Sequence, residues 1–256
     1  MGIVFTGYPG YNDVVVNNSP KMHMFTPLDI LGCACWLRSD KNVTLSSNKV
    51  SAWGDLSGNG RSVTQQTVSS QPDYVSSGGA NNLPYFNLTQ SGDVGKEMHW
   101  VTNAWSALTA GEIFWIGQRL TDPTMLSPGG GGGMWQTNVV ETLVPYPNGT
   151  IYDFSLTTVR KDAIPYTVGL FALPYCYNVS SQANLWTNRL NGTQLFTTST
   201  NAFGISSTTQ IFGSANPSIY YLGKHYEFIV FNRVLSSQER TQMNLYIYNR
   251  YGIIGS

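Results

Sequence analysis

Apolar residues in this chain fall in short runs, cut by clusters of Gly, Pro, Asn, Ser and Thr. Ile30–Leu37 (ILGCACWL) is the first strongly apolar run, and strand segments follow around Lys49–Trp53 and Pro84–Leu88. Glu112–Leu120 (EIFWIGQRL) is an apolar run bounded by polar residues and suits a central strand. Strand-like runs resume at Ile151–Leu156, Tyr166–Leu173, Ala183–Arg189, Gln210–Gly213 and Tyr226–Phe231. Cys33 and Cys35 alternate within the first run, which predicts that both thiols share one strand face. Leu190-Asn191-Gly192-Thr193 predicts a tight hairpin, because Asn-Gly accepts the positive φ of a type I′ turn.

One helix is predicted. Ser236-Ser237-Gln238-Glu239 is a capping box, in which Ser236 and Glu239 satisfy each other's free backbone donors. Met243, Tyr246, Ile247 and Arg250/Tyr251 then share a face at helical spacing, and Gly252 supplies a left-handed stop. Residues 1–28, with three prolines and only short apolar patches, read as an N-terminal arm for docking or assembly. The compact domain is expected over 29–256. Within it Leu126–Gly133 (LSPGGGGG) reads as a loop at one end, its glycine run too short for an interdomain linker.

Composition narrows the function. Gly (26) and Pro (12) are plentiful, as many short strands joined by turns require. Lys and Arg number 14, as do Asp and Glu, so no basic density exists to displace phosphate counterions and no nucleic-acid partner is expected. Charged residues make up 11% of the chain against roughly 25% in an ordinary domain. So weakly charged a surface favours association, and homo-oligomers or repeated copies on a particle are expected, against the simpler reading of a monomer whose surface is Ser, Thr and Asn. No run approaches the ~20 apolar residues of a membrane span, and the first residues lack a signal-peptide pattern. Synthesis in a cytoplasm follows as the expectation, with Cys33, Cys35 and Cys176 as buried free thiols.

Several motifs in order carry a resemblance. Cys35-Trp36-Leu37 precedes Arg38-Ser39-Asp40, Trp53 ends a strand before Asp55–Gly60 (DLSGNG), and Gln71-Pro72 and Leu83–Phe86 (LPYF) follow. Asn191-Gly192, Glu227–Val230, Asn232–Ser236, Glu239 and Tyr251-Gly252-Ile253 close the series. Over roughly residues 31–254 the chain resembles the concanavalin A-like (laminin G-like) lectin/glucanase domains, many of them in phage structural and bacterial surface proteins. The resemblance implies an all-β jelly-roll sandwich of two antiparallel sheets with one short C-terminal helix. It departs where many relatives read Phe-Asp-Gly and this chain reads Phe86-Asn87-Leu88.

Glucanases on this sandwich carry Glu, Asp and Glu at alternating strand positions, so that all three face one way. The glutamates here are scattered, with no carboxylate two residues away, and no enzymatic activity is expected. No Gly-x-Ser-x-Gly elbow is present, and the glycine run lacks the Lys-Ser/Thr of a phosphate loop. Two ligand candidates follow. Asp55 and Asn59 offer hard oxygens for Ca²⁺, against the simpler reading that Asp55 caps its own turn. Trp135, just past the glycine loop, is the candidate for stacking on a sugar face, against core packing. The leading functional expectation is a virion structural protein of a bacteriophage, a capsid decoration, head-fibre or tail-associated component. Its arm would contact capsid or tail proteins and its sandwich would face outward. The alternative is a lectin-like module that adheres to host surface glycans.

Overall fold

A computed structural model describes residues 24–88, 96–101, 105, 108–120, 133–137, 140–146, 149–167, 169–205, 210–211 and 221–253, with backbone alone at 133–137, 140–141, 163 and 210–211. The first half of the chain forms β1 (Cys33–Arg38), β2 (Val43–Ser46), β3 (Lys49–Trp53), β4 (Val63–Thr64), β5 (Asp73–Val75), β6 (Tyr85–Leu88), β7 (Met98–Trp100) and β8 (Ala110–Arg119). The second half forms β9 (Gly133–Thr137), β10 (Val140–Tyr146), β11 (Thr150–Asp153), β12 (Lys161–Pro165), β13 (Tyr175–Gln182), β14 (Leu185–Leu190), β15 (Thr193–Thr198), β16 (Gln210–Ile211) and β17 (Gly223–Phe231). Helix α1 (Ser237–Tyr251) follows.

The fold is a β-sandwich of antiparallel sheets with its helix at the C-terminal end. One layer runs β15–β14–β13–β8–β17, with β1 and β6 sharing the outer edge of β17. The other runs β2–β3–β4–β7–β16–β9–β10–β11–β12. Strand β5 bonds to both β3 and β6, so the two layers form one ladder folded over itself.

Period two sorts the first layer's side chains. Ile113 and Trp115 of β8 point between the sheets, with Val50 and Trp53 of β3 and Ile151 of β11, into a core of fully buried rings. Phe114 and Ile116 point the other way and meet Met243, Ile247 and Tyr251 of α1. The first layer is therefore buried on both faces, which is why β8 is an unbroken apolar run rather than an alternating one.

The hairpin and the helix follow their predicted chemistry. Asn191 (φ 51) and Gly192 (φ 86) join β14 to β15. The Ser236 hydroxyl accepts from Glu239 N, Glu239 accepts from Ser236 N, and Gly252 (φ 65) ends the helix.

Two expectations are corrected. Cys33 and Cys35 do not share a face: Cys33 pairs with Phe231 and Cys35 with Val230, so Ala34 is an extra residue in a bulge. Cys35 joins the core between the sheets, while Cys33 packs on the helix side. Tyr166–Leu173 is not a strand, because left-handed Gly169 (φ 92) breaks it before a single 3-10 turn at Leu170–Ala172. Its apolar character serves Tyr166 and Phe171, which pack edge-on at 5.1 Å. Strand β13 (Tyr175–Gln182), in none of the predicted runs, is central to its layer. Asn178 and Ser180 are buried because they hydrogen-bond to Glu112 and Arg189.

Candidate functional site

The Asp55–Gly60 turn lies beside β1. Asp55 Oδ1 accepts from Trp36 N (3.0 Å) and Ser57 N (2.8 Å), and Oδ2 accepts from Ser57 Oγ (2.8 Å) and Arg61 N (2.9 Å). A carboxylate has about four lone-pair sites, and all are engaged. Asn59 Nδ2 donates to the Cys33 and Ala34 carbonyls at 3.1 and 3.2 Å, and Gly58 and Gly60 take positive φ. The two candidate calcium ligands thus brace the bulged start of β1. Among the described residues, no group of three or more His, Cys, Asp and Glu could hold a metal ion. Trp135 lies on β9, its backbone paired with Ile211 of β16, and its side chain falls outside the described residues.

A second aromatic surface lies close by in the ladder, because β9 pairs with β10 and β10 with β11. Alternation along β11 buries Ile151 and Asp153 and turns Thr150 and Tyr152 outward. Tyr152 meets the half-buried Tyr146 of β10 edge-on, ring centroids 5.4 Å apart. The Arg160 guanidinium sits 5.2 Å from the centre of the Tyr152 ring and pairs with Asp162. Two half-exposed rings meeting at 90°, with the guanidinium over one of them and an exposed ion pair alongside, bring aromatic surface and charge together on this face. Tyr152 sits in a run read only as a strand and Tyr146 in none of the predicted runs, so alternation of Tyr152 with buried Asp153 was the signal for this face.

The most elaborate polar cluster lies under α1. A bulge at Tyr226 (His225 pairs with Gly117 and Glu227 with Ile116) turns both Tyr226 and Glu227 toward the helix. Glu227, fully buried, accepts from Trp36 Nε1 (2.5 Å), Tyr246 OH (2.8 Å) and Tyr251 OH (2.5 Å), with Arg250 Nε 3.7 Å away. Burial raises its pKa above the usual carboxylate value, while the Tyr251 and Trp36 donors pull it down. Asp40 accepts from Nε and Nη2 of Arg38 (2.9 and 2.7 Å) and from Nη2 of Arg250 (2.7 Å). Above this cluster opens a groove of about 700 Å³, walled by Met24, Phe25, Leu83, Leu245 and Tyr246 and reached by Arg38 and Arg250.

Glu112, also fully buried, holds the other end of the helix. It pairs with Arg240 Nε at 2.7 Å and accepts from Leu235 N and Asn178 Nδ2. Glu112 pairs with Phe231 and Ile116 with Glu227, so the two acids are separated by four residues along β8. That spacing is about 13 Å, beyond the ~5–9.5 Å at which paired carboxylates cleave glycosides. The alternation Glu227-x-Ile229-x-Phe231 was legible as a shared face, but its helical partners were not.

No family model and no curated protein matches the chain. Solved structures do. The sandwich superposes on the binding domain of Paraclostridial Mosquitocidal Protein 1 with a TM-score of 0.59 at 13% identity, over 87% of this chain and 53% of that one. Domain 4 of AbnA, a GH43 extracellular arabinanase from Geobacillus stearothermophilus solved with arabinotriose, gives 0.59 at 10% identity, over 83% of this chain and 98% of that one. The binding domain of botulinum neurotoxin DC in complex with rat synaptotagmin II gives 0.56 at 13% identity, over 87% and 52%. The chain therefore spans about half of the mosquitocidal-protein and neurotoxin binding domains and nearly all of the arabinanase domain. Likeness at such identities is likeness of fold: a β-sandwich.

Proposed function

We propose that this chain is a non-catalytic, lectin-like module that binds surface glycans, with the Tyr146–Tyr152 face and Arg160 as its sugar platform. The edge-on tyrosine pair on the outer face of β10 and β11 carries the reading. It is supported by the neighbours in fold, which include a domain solved with arabinotriose and the binding domains of a mosquitocidal protein and a botulinum neurotoxin. Attachment to a virion through residues 1–28, in repeated copies, is a finer proposal that rests on the sequence resemblance. Residues 1–23 lie outside the described part of the chain.

A glycan array probed with the labelled chain, with and without Ca²⁺, tests the reading. Binding that falls in Tyr152→Ala supports it, and calcium dependence would add the Asp55 turn to the site. A flat array, or binding indifferent to Tyr152, removes it. Quantitative mass spectrometry of purified particles tests the virion placement, which fails if the chain is absent from them.

A further inference from the structure

We infer that the groove beside α1 is a docking site for an extended protein segment that carries one acidic side chain among large apolar ones. The groove lies beside the helix, built from other elements than the tyrosine pair, so this inference stands apart from the glycan reading.

Its walls are unusually apolar for an open surface. Met24 and Leu245 are 76% and 56% exposed, among the most exposed large apolar side chains described, and both line this one cavity. A single exposed leucine needs no explanation, but several apolar side chains converging on a concave space indicate something to be covered. Phe25 and Tyr246 extend the wall, their rings 6.3 Å apart at 65°. The volume, about 700 Å³, falls within the ~300–1,000 Å³ of sites that enclose small ligands, and accommodates a few side chains of an extended segment.

The charge of the lining selects the sign of the occupant. Among the described residues that line it, Arg38 and Arg250 are the charged ones and none is a carboxylate. Of the acids that pair with them, Glu227 is fully buried, and Asp40, which is not part of the lining, binds Nε and Nη2 of Arg38 and Nη2 of Arg250. That bridge leaves Nη1 of each guanidinium outside it and fixes both planes. An incoming carboxylate therefore meets two cations that are already oriented, and little side-chain entropy is lost on pairing. A saccharide fits poorly here, since its hydroxyls need many polar partners. Of the amides on the rim, Asn81 already donates to the Asn249 and Arg250 carbonyls at 3.3 and 2.9 Å. Apolar side chains against Leu245, Phe25 and Met24, with one Asp or Glu reaching Arg38 and Arg250, satisfy both features.

The test pans the full-length chain against a random decapeptide library displayed on yeast and measures the enriched peptide by fluorescence anisotropy. Leu245→Glu and Gln242→Glu put negative charge on the exposed helix face without touching the buried cluster, and their melting curves confirm the fold. The expected result is a shared motif of Asp or Glu flanked by Leu, Phe or Trp. Its binding should fall at least about tenfold in each variant, and about tenfold when the acid of the peptide becomes its amide. A library without a convergent motif, or a motif bound equally by both variants, overturns the proposal. Sedimentation showing a dimer that Leu245→Glu dissociates assigns the groove to a second copy and overturns it as well. The glycan array of either variant should match wild type, so the two readings fail separately.

Discussion

The Tyr251 hydroxyl donates to Glu227 Oε2 at 2.5 Å, which ties the last turn of α1 to the middle of β17. Glu112 does the same for the first turn through Arg240. Two carboxylates on the helix side of one sheet thus fix both ends of one helix, and the apolar contacts of Met243 and Ile247 lie between them. Breaking a buried pair by removing one partner is costly even where the pair itself contributes little, so these acids specify position as much as stability.

The Glu227 clamp predicts a pH dependence. Burial places its folded pKa above the ordinary 4.5, so the native state holds this proton more tightly than the unfolded chain. Stability from this group is then fully present below about pH 4.5 and is lost as pH rises through the folded value. Glu227→Gln does not titrate. Urea unfolding from pH 4 to pH 8 should show wild type losing stability relative to the variant as pH rises. A gap that moves the other way contradicts the assignment.

At the helix start the sign reverses. Hydrogen bonds from Arg233, and then from Ser236, hold Glu239 down at about 2. Its contribution is present above about pH 4.5 and is lost as pH falls toward 2. Ser236→Ala should cost about 1 kcal/mol at pH 7, measured by urea unfolding, and less at pH 2.5, where Glu239 begins to protonate. An equal cost at both values would separate the cap from Glu239.

The thiols should be inert in the folded protein. Burial, reinforced by the Asp55 and Glu227 carboxylates, pushes Cys33 up to about 12, and burial raises Cys35 and Cys176 as well. An aromatic disulfide reagent at pH 8 should label none of the three cysteines natively and all three in denaturant. Rapid native labelling at Cys33 would show that the bulged start of β1 opens.

On the proposed platform, Tyr152→Ala should weaken glycan binding about tenfold, near the 1.4 kcal/mol within reach of one aromatic contact. Tyr152 is half-buried on the outer face, so thermal stability should change little beside the 3–5 kcal/mol expected of a core Trp115→Ala. Parallel loss of binding and folding in Tyr152→Ala would make it a core residue instead.

What the sequence by itself determined is what neighbours along the chain decide. Asn191-Gly192 sets its turn because positive φ is a property of two adjacent residues, and Ser236 with Glu239 begins the helix because the cap closes within four residues. Short apolar runs cut by turn residues pointed to many strands, and the sandwich itself followed from the resemblance that the ordered motifs carry. Tertiary structure alone decided which way residues point once a ladder slips. One extra residue at Ala34 separates Cys33 from Cys35, and another at Tyr226 turns Glu227 to the helix. Such bulges arise from pairing with a strand nearly 200 residues away or more than 100 residues away, respectively, which local periodicity does not encode. For the same reason glutamates scattered in sequence became the two ends of a clamp, and an exposed leucine, a phenylalanine and two arginines became one groove.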